Sequence, residues 1–284
     1  MDASHEDVQR LSKPRIVSFD IEVSPALGYF YPPTWETGIL KVKNRQVLMS
    51  FAWGVVGETV KRRIDGEIRT VPKVKSLSLA DTDTFKVDPH NDKLLSIKLH
   101  EVLSSADIIL GQNSDQFDIK MANYFFIMNG LEPIPPAKYM DTKKIAKRYF
   151  RFLNNTLDNL GEELGVGKKT KTKVGDLWED CFINNDVKAY KKLKIYNEQD
   201  VVVTTGIYLK MRPFMHSHPS LSRISGEWDS CPRCGSYSYR VKAYRSTDTS
   251  RYRQYQCNEC HGFFSDRKAM TESQGDVKPI YKNV

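Results

Sequence analysis

Four carboxylates and one phenol stand in three short blocks: Phe19-Asp20-Ile21-Glu22, Asn113-Ser114-Asp115-Gln116-Phe117-Asp118 and Tyr196-Asn197-Glu198-Gln199-Asp200. Asp20 and Glu22 are two apart in a β-prone run. Both side chains therefore leave one face of a strand, about 7 Å apart along it, while Phe19, Ile21 and Val23 point the other way. Asp118 opens a helical run just after a short apolar strand, and strand ends in open α/β sheets are where ligands gather. Tyr196 and Asp200, four apart, share one helix face. Acids brought to one point repel and lose hydration unless cations lie between them. That combination fits phosphodiester cleavage assisted by two divalent ions. Each block alone has a plainer reading: a solvated strand pair, a helix-capping aspartate, and a tyrosine at a helix–sheet seam beside a surface acid. The conjunction is what points to a site.

The elements that position these blocks follow from periodicity and punctuation. Arg15 to Val23 reads as a first strand and Gln46 to Val56 as a second, with Glu58 to Ile64 returning as a hairpin through Val56-Gly57-Glu58. No definite element is assigned from Asp65 to Pro89. Helices are expected over Lys93–Ser104 and over Asp118–Met128, the latter stopped by Asn129-Gly130. Short strands are expected over Asp107–Gly111 and near Tyr139-Met140. Asp141 caps a basic helix through Phe150, and Thr156 opens another to Leu164. A lysine-rich loop covers Gly167 to Lys173. Asp186 begins a long helix to about Met211, stopped by Pro213. Strands followed by alternating helices and strands indicate an α/β domain with a mixed sheet flanked by helices.

The chain has 284 residues and a formal charge of +8, which favours a polyanionic partner without naming it. The N-terminus is unlike a secretory leader, and no apolar run is long enough to span a bilayer. Four of the five cysteines form the pairs Cys231-Pro-Arg-Cys234-Gly235 and Cys257-Asn-Glu-Cys260-His-Gly262. Two Cys-x-x-Cys pairs around a β-prone stretch signal tetrahedral zinc, one structural Zn²⁺ in a reducing, cytoplasmic setting, with a redox dithiol as the alternative. Gly235 and Gly262 are expected to supply the positive φ that such knuckles need. Cys181 reads as a buried, inert thiol.

Between the pairs, Tyr237 and Tyr239 share one strand parity while Arg240 and Lys242 share the opposite one, and Tyr252 alternates with Arg251 and Arg253. Such a ribbon suits stacking of bases and contact with phosphates. The other reading is a tyrosine-covered small core with solvated arginines, and a protein-docking role stays open. Lys143, Lys144, Lys147 and Arg148, with Lys168, Lys169, Lys171 and Lys173, either line the approach of a strand or form a solvated face.

Taken together, Phe-Asp-Ile-Glu, Asn-x-x-x-Phe-Asp and Tyr-x-x-x-Asp closely resemble the three exonuclease motifs of the DEDD superfamily, tyrosine subgroup. The likeness runs from about Arg15 to Phe214 and is nearest to the proofreading 3′–5′ exonuclease domain of family-B DNA polymerases and its stand-alone relatives. The resemblance implies an RNase H-like fold over 15–215. A polar tail (1–14), a linker (216–227), a zinc ribbon (228–268) and a second tail (269–284) complete the expected organisation. It also implies two Mg²⁺ or Mn²⁺ ions, with Asp20 bridging both, Glu22 and Asp200 holding one and Asp118 helping to hold the other. Asp115 is not a family ligand and reads as a solvated or loop-capping acid.

A phenol of reference pKa about 10 is a poor base, so Tyr196 is assigned to orienting the attacking water. Asn113 and Phe117 are assigned to the pocket around the terminal nucleotides. The implied activity is 3′–5′ hydrolysis of single-stranded DNA to 5′-mononucleotides. Too little chain follows Asp200 for a polymerase, so the nuclease is expected to act alone or beside a separate polymerase or replication protein. The same acids would serve an exoribonuclease. A non-catalytic zinc-ribbon adaptor on a nuclease-like fold is the rival of another class, and the complete acid set argues against it.

Overall fold

The computed structural model describes residues 14–31, 38–64, 66–167, 174–266 and 268–270. The tails expected before Pro14 and beyond residue 270, and the lysines at 168, 169, 171 and 173, lie outside them. The chain divides into two compact units, one formed by Arg15–Tyr208 and one running from Leu209 onward.

In the first unit, β1 (Ile16–Val23) is the central strand of a five-stranded mixed sheet. It pairs antiparallel with β4 (Leu48–Ile64) and parallel with β6 (Ile108–Gly111). Antiparallel β5 (Glu67–Ser78) and parallel β7 (Lys138–Asp141) form the edges. A separate two-stranded sheet joins β2 (Leu27–Phe30) to β3 (Ile39–Asn44). The helices are α1 (Lys93–Ser104), α2 (Asp118–Met128), α3 (Thr142–Tyr149), α4 (Leu157–Glu163), α5 (Val174–Phe182) and α6 (Val187–Met211). This is the α/β arrangement expected, a mixed sheet flanked by helices.

Strand β4 explains how a helix comes close to the acids. Met49 and Phe51 are fully buried in one cluster with Phe19 and Ile21 of β1, Leu95, Leu99 and Leu103 of α1, and Phe125 and Phe126 of α2. The alternate positions carry only Ser50, Ala52 and Gly54. Ala52 packs with Val74 on Val201 of α6, and the Ser50 hydroxyl donates to Asn197 Oδ1 at 3.1 Å. Next to them on β5, the Ser76 hydroxyl donates to Glu198 Oε1 at 2.7 Å. Small side chains on this face let α6 approach the sheet.

Three features depart from the sequence expectation. The return through Val56-Gly57-Glu58 does not occur: Gly57 has a positive φ of 98°, yet the strand runs on to Ile64, with an irregular register between Gly54 and Thr59. The chain reverses instead at Gly66 (φ 83°), following the Asp-Gly turn signal, and β5 fills the stretch left unassigned. The small sheet β2–β3 and helix α5 were not foreseen.

In the second unit, β8 (Tyr239–Ser246), β9 (Arg251–Cys257) and β10 (Phe263–Ser265) form an antiparallel sheet with β9 in the middle. Residues 216–227 carry a short helix, α7 (Leu221–Ile224). Its buried Leu221 donates its amide to the Pro232 carbonyl at 2.8 Å, beside the first cysteine knuckle. Among the described residues no helix is long and apolar enough to cross a membrane.

Candidate functional site

Asp20 and Glu22 leave the same face of β1, opposite Ala52 and Ser50 of β4. Asp200 stands on α6 above that face, nearly buried. One carboxylate oxygen from each of Asp20, Glu22 and Asp200 lies within 4.8 Å of the others. Tyr196 is also buried, one turn before Asp200 on α6.

Asp118 enters from the loop that leaves the C-terminal end of β6, the neighbouring parallel strand. Gly111 closes β6, and a Cβ there would come within 2.5 Å of the Ser114 side chain, so only glycine lets the chain fold back this tightly. Asn113 follows with a positive φ of 60°. Its amide donates to Asp141 Oδ1 at 2.9 Å, and its own Oδ1 accepts from Lys143 Nζ at 3.1 Å. This turn delivers Asp118 to the first position of α2. There its Oδ1 accepts at 3.3 Å from the amide of Ile21, the residue between Asp20 and Glu22. Phe117 is half-exposed at the same corner, and Asp115 forms an ion pair with Lys144 at 2.6 Å.

Burial pushes the Asp118 carboxyl up to about 7, with the charges of Asp141 and Asp200 adding to the rise and backbone hydrogen bonds from Ile21 and Asp118 opposing it. The acids are crowded and partly dry, and a divalent cation removes such a penalty. The sign of the pH effect follows. The unfolded carboxyl ionises near 3.8 and the folded one near 7, so this group favours the folded state below 3.8 and loses that contribution as pH rises through about 7. In EDTA the thermal midpoint is therefore expected to fall across that window, and Mn²⁺ or an Asp118→Asn substitution is expected to flatten the fall. An equally steep fall in all three samples would show that other groups cause it.

Two residues that the sequence analysis gave no part in the site organise it. Asn197 is fully buried between β4 and β1, accepting from Ser50 and donating Nδ2 to Asp20 Oδ2 at 2.5 Å. It therefore fixes the rotamer of Asp20. Asp141, expected only as a helix cap, does accept from the amides of Lys143 and Lys144, and it also accepts from Asn113 and Asp115. One carboxylate thus ties the start of α3 to the loop carrying the second motif. Asn197→Leu, similar in volume but without the amide, is expected to weaken Mn²⁺ binding by about 10–100-fold, the usual scale for residues that orient a ligand. Calorimetric titration reads this directly, and unchanged affinity would reduce Asn197 to a packing residue.

The second site is the cysteine set. The four Sγ atoms of Cys231, Cys234, Cys257 and Cys260 lie within 4.8 Å of one another, with Cys231–Cys260 at 3.7 Å and Cys234–Cys257 at 3.6 Å. Four sulfurs placed about 2.3 Å from one tetrahedral ion stand about 3.8 Å apart, so the set fits a metal such as zinc. Gly235 has the expected positive φ of 76°. In the second knuckle that conformation falls on His261 (φ 57°) and not on Gly262. The equivalent position is the residue directly after the second cysteine of each pair. Gly262 instead lies against the Arg233 side chain: a Cβ there would come within 2.5 Å of Arg233 Nη1, so a larger residue would displace that guanidinium. Cys181 is buried outside both sets, and burial pushes its thiol up to about 12.

The aromatic and basic residues of the ribbon separate into distinct environments. Tyr239 packs edge-on against Tyr255 and Phe264, with ring centroids 5.2 Å away in each case, which is the core-covering alternative. Tyr237 lies outside the strands and donates its hydroxyl to Glu227 at 2.6 Å. Arg253 pairs with Asp266, Arg251 lies 4.2 Å from the Tyr244 ring centroid, and Arg245 lies 5.6 Å from that of Tyr252. Arg240 and Lys242 are exposed on β8, but a register shift between Val241 and Ala243 interrupts the simple alternation expected of them.

No protein-family model matches the chain, and no curated protein matches it. Among solved structures the chain is similar to the family B DNA polymerase from the hyperthermophilic archaeon Pyrobaculum calidifontis, with a TM-score of 0.43 and 16% sequence identity. That similarity covers 83% of this chain and 31% of the polymerase, so the chain spans about a third of the protein it matches.

Proposed function

We propose that this chain is a metal-dependent 3′–5′ exonuclease that hydrolyses single-stranded DNA to 5′-mononucleotides, its Cys₄ module assisting strand binding around one structural Zn²⁺. The observation that carries the reading is the convergence of three acids, with a fourth, Asp118, tied to the strand that bears two of them. Oxygens of Asp20, Glu22 and Asp200 gather within 4.8 Å, and the Asp118 carboxyl is bonded to the amide between the first two. A set of hard oxygen donors fits Mg²⁺ or Mn²⁺, and the crowding of buried charge gives such ions a reason to bind. When bound, two such ions supply activation of water and stabilisation of the departing 3′ oxygen.

The side chains divide the remaining work. Asp20, Glu22 and Asp200 would hold one ion, and Asp118, with Asp20, would help to hold the other. Tyr196 orients the attacking water, while Asn197 keeps Asp20 in register. Asn113 and Phe117 sit at the corner where the terminal nucleotides would be received. Lys143, Lys144, Lys147 and Arg148 of α3 would supply positive charge along the approach of the strand.

Purified protein incubated with single-stranded DNA labelled at either end, in Mg²⁺, Mn²⁺ or EDTA, tests the proposal. Stepwise release of mononucleotides from the 3′ end, lost in EDTA, is the expected result. Equal or faster cleavage of the matching RNA would change the substrate, and no cleavage in either ion would leave a non-catalytic adaptor.

A further inference from the structure

We infer that the two-stranded arm β2–β3 is a second contact surface for single-stranded nucleic acid, holding the strand beside the acidic centre. This rests on the nuclease reading of that centre. The arm leaves β1 just after Glu22, and its root is fixed. The Ser24 amide donates to the Val47 carbonyl at 3.0 Å, and the Val47 amide donates back to Ser24 Oγ at 2.9 Å. Leu27 packs on the main core, and Arg45 pairs at 2.7 Å with the fully buried Asp92. Ser24 and Leu27 on the entering side, and Arg45 and Val47 on the leaving side, therefore hold the base of the arm against the domain.

Beyond that base the arm is not hydrogen-bonded to the five-stranded sheet. It carries Phe30 and Ile39, each 69% exposed, with Tyr29 at 57% and Val42 at 52%. A lone two-stranded ribbon is marginal in water, and clustered exposed apolar side chains mark a surface that something covers. Charge narrows the occupant. Neither strand contains an acid, while Lys41 and Lys43 are exposed, and Lys41 stands directly opposite Tyr29 on the same face. Aromatic faces interleaved with cations, on a chain of net charge +8, match bases and phosphates of a single strand. A second copy of the chain, equally basic, would bring the arm more positive charge.

The test uses the full chain and a fluorescent single-stranded DNA oligonucleotide in EDTA, so that hydrolysis does not enter. Tyr29→Ala with Phe30→Ala is expected to weaken binding about tenfold or more, from the loss of stacking. Lys41→Glu with Lys43→Glu is expected to reduce the slope of log affinity against log salt by about 1.4, at ~0.7 per phosphate contact, a change that a folding defect does not mimic. Wild-type affinity and slope in both variants overturn the inference, as does wild-type protein that does not bind. Loss of self-association in sedimentation, with DNA affinity intact, would assign the arm to a second copy and also overturn it. Cleavage in Mg²⁺ is scored separately: arm-dependent binding without cleavage would keep the arm and discard the nuclease reading.

Discussion

Asp20→Asn is expected to abolish metal-dependent cleavage, by about a thousandfold or more, while leaving the fold intact. The substitution removes one negative charge and keeps an oxygen for Asn197 Nδ2 to bond, so a buried amide is not left without its acceptor. Alanine at this position would orphan that amide and blur a chemical effect with a structural one. In the proposed site, loss of a carboxylate that holds the ions would forfeit several kcal/mol of charge stabilisation, and each ~1.4 kcal/mol is tenfold in rate. In EDTA the thermal midpoint should hold or rise, because one of the repelling charges is gone. Tyr196→Phe should cost far less, since all four acids remain. Asp20→Asn protein that still degrades DNA at the wild-type rate in Mg²⁺ would sink the assignment of the whole acidic set.

Removal of the metal from the cysteine set is expected to have the other large effect. The buried cluster at the knuckles consists of Cys231, Cys257 and Cys260, with Cys234 and Phe264 packed against them. Beside it stand the small aromatic group of Tyr239, Tyr255 and Phe264 and the buried Leu221. So little apolar burial does not hold three short strands without help, whereas a structural zinc supplies about 10–16 kcal/mol in modules of this kind. The purified protein should contain one equivalent of zinc. Cys234→Ser, or a strong chelator, should open residues between Tyr239 and Asp266 to proteases that spare them in the intact protein. A metal-free preparation with the ribbon equally resistant would show that packing alone suffices, and the thiols would then be open to redox chemistry.

The acidic centre was legible because its geometry rests on local rules. Alternation along β1 and the four-residue spacing on α6 decide where Asp20, Glu22, Tyr196 and Asp200 point, whatever the rest of the chain does. The capping roles of Asp141 and Thr156 were legible for the same reason. What stayed hidden was tertiary. Asn197 reaches Asp20 across 177 positions of sequence, and nothing near Asn197 announces that bond. Gly57 and Gly66 both adopt positive φ, and only the register of β4 against β5 tells an irregular strand from a turn. Tyr239 fitted a stacking platform and a core equally well until Tyr255 and Phe264 were seen against it.

The stripe of small side chains on the sheet would bear on which ion the proposed site admits. Ser50, Ala52 and Ser76 set how near α6 lies to β1, and so the width of the gap between Asp200 and Asp20. In the proposed metal site, discrimination by ionic radius would then be written partly in residues that donate nothing to the cation. One added methyl at Ala52 would prise the helix outward, and tolerance for calcium would grow before a single ligand had been lost.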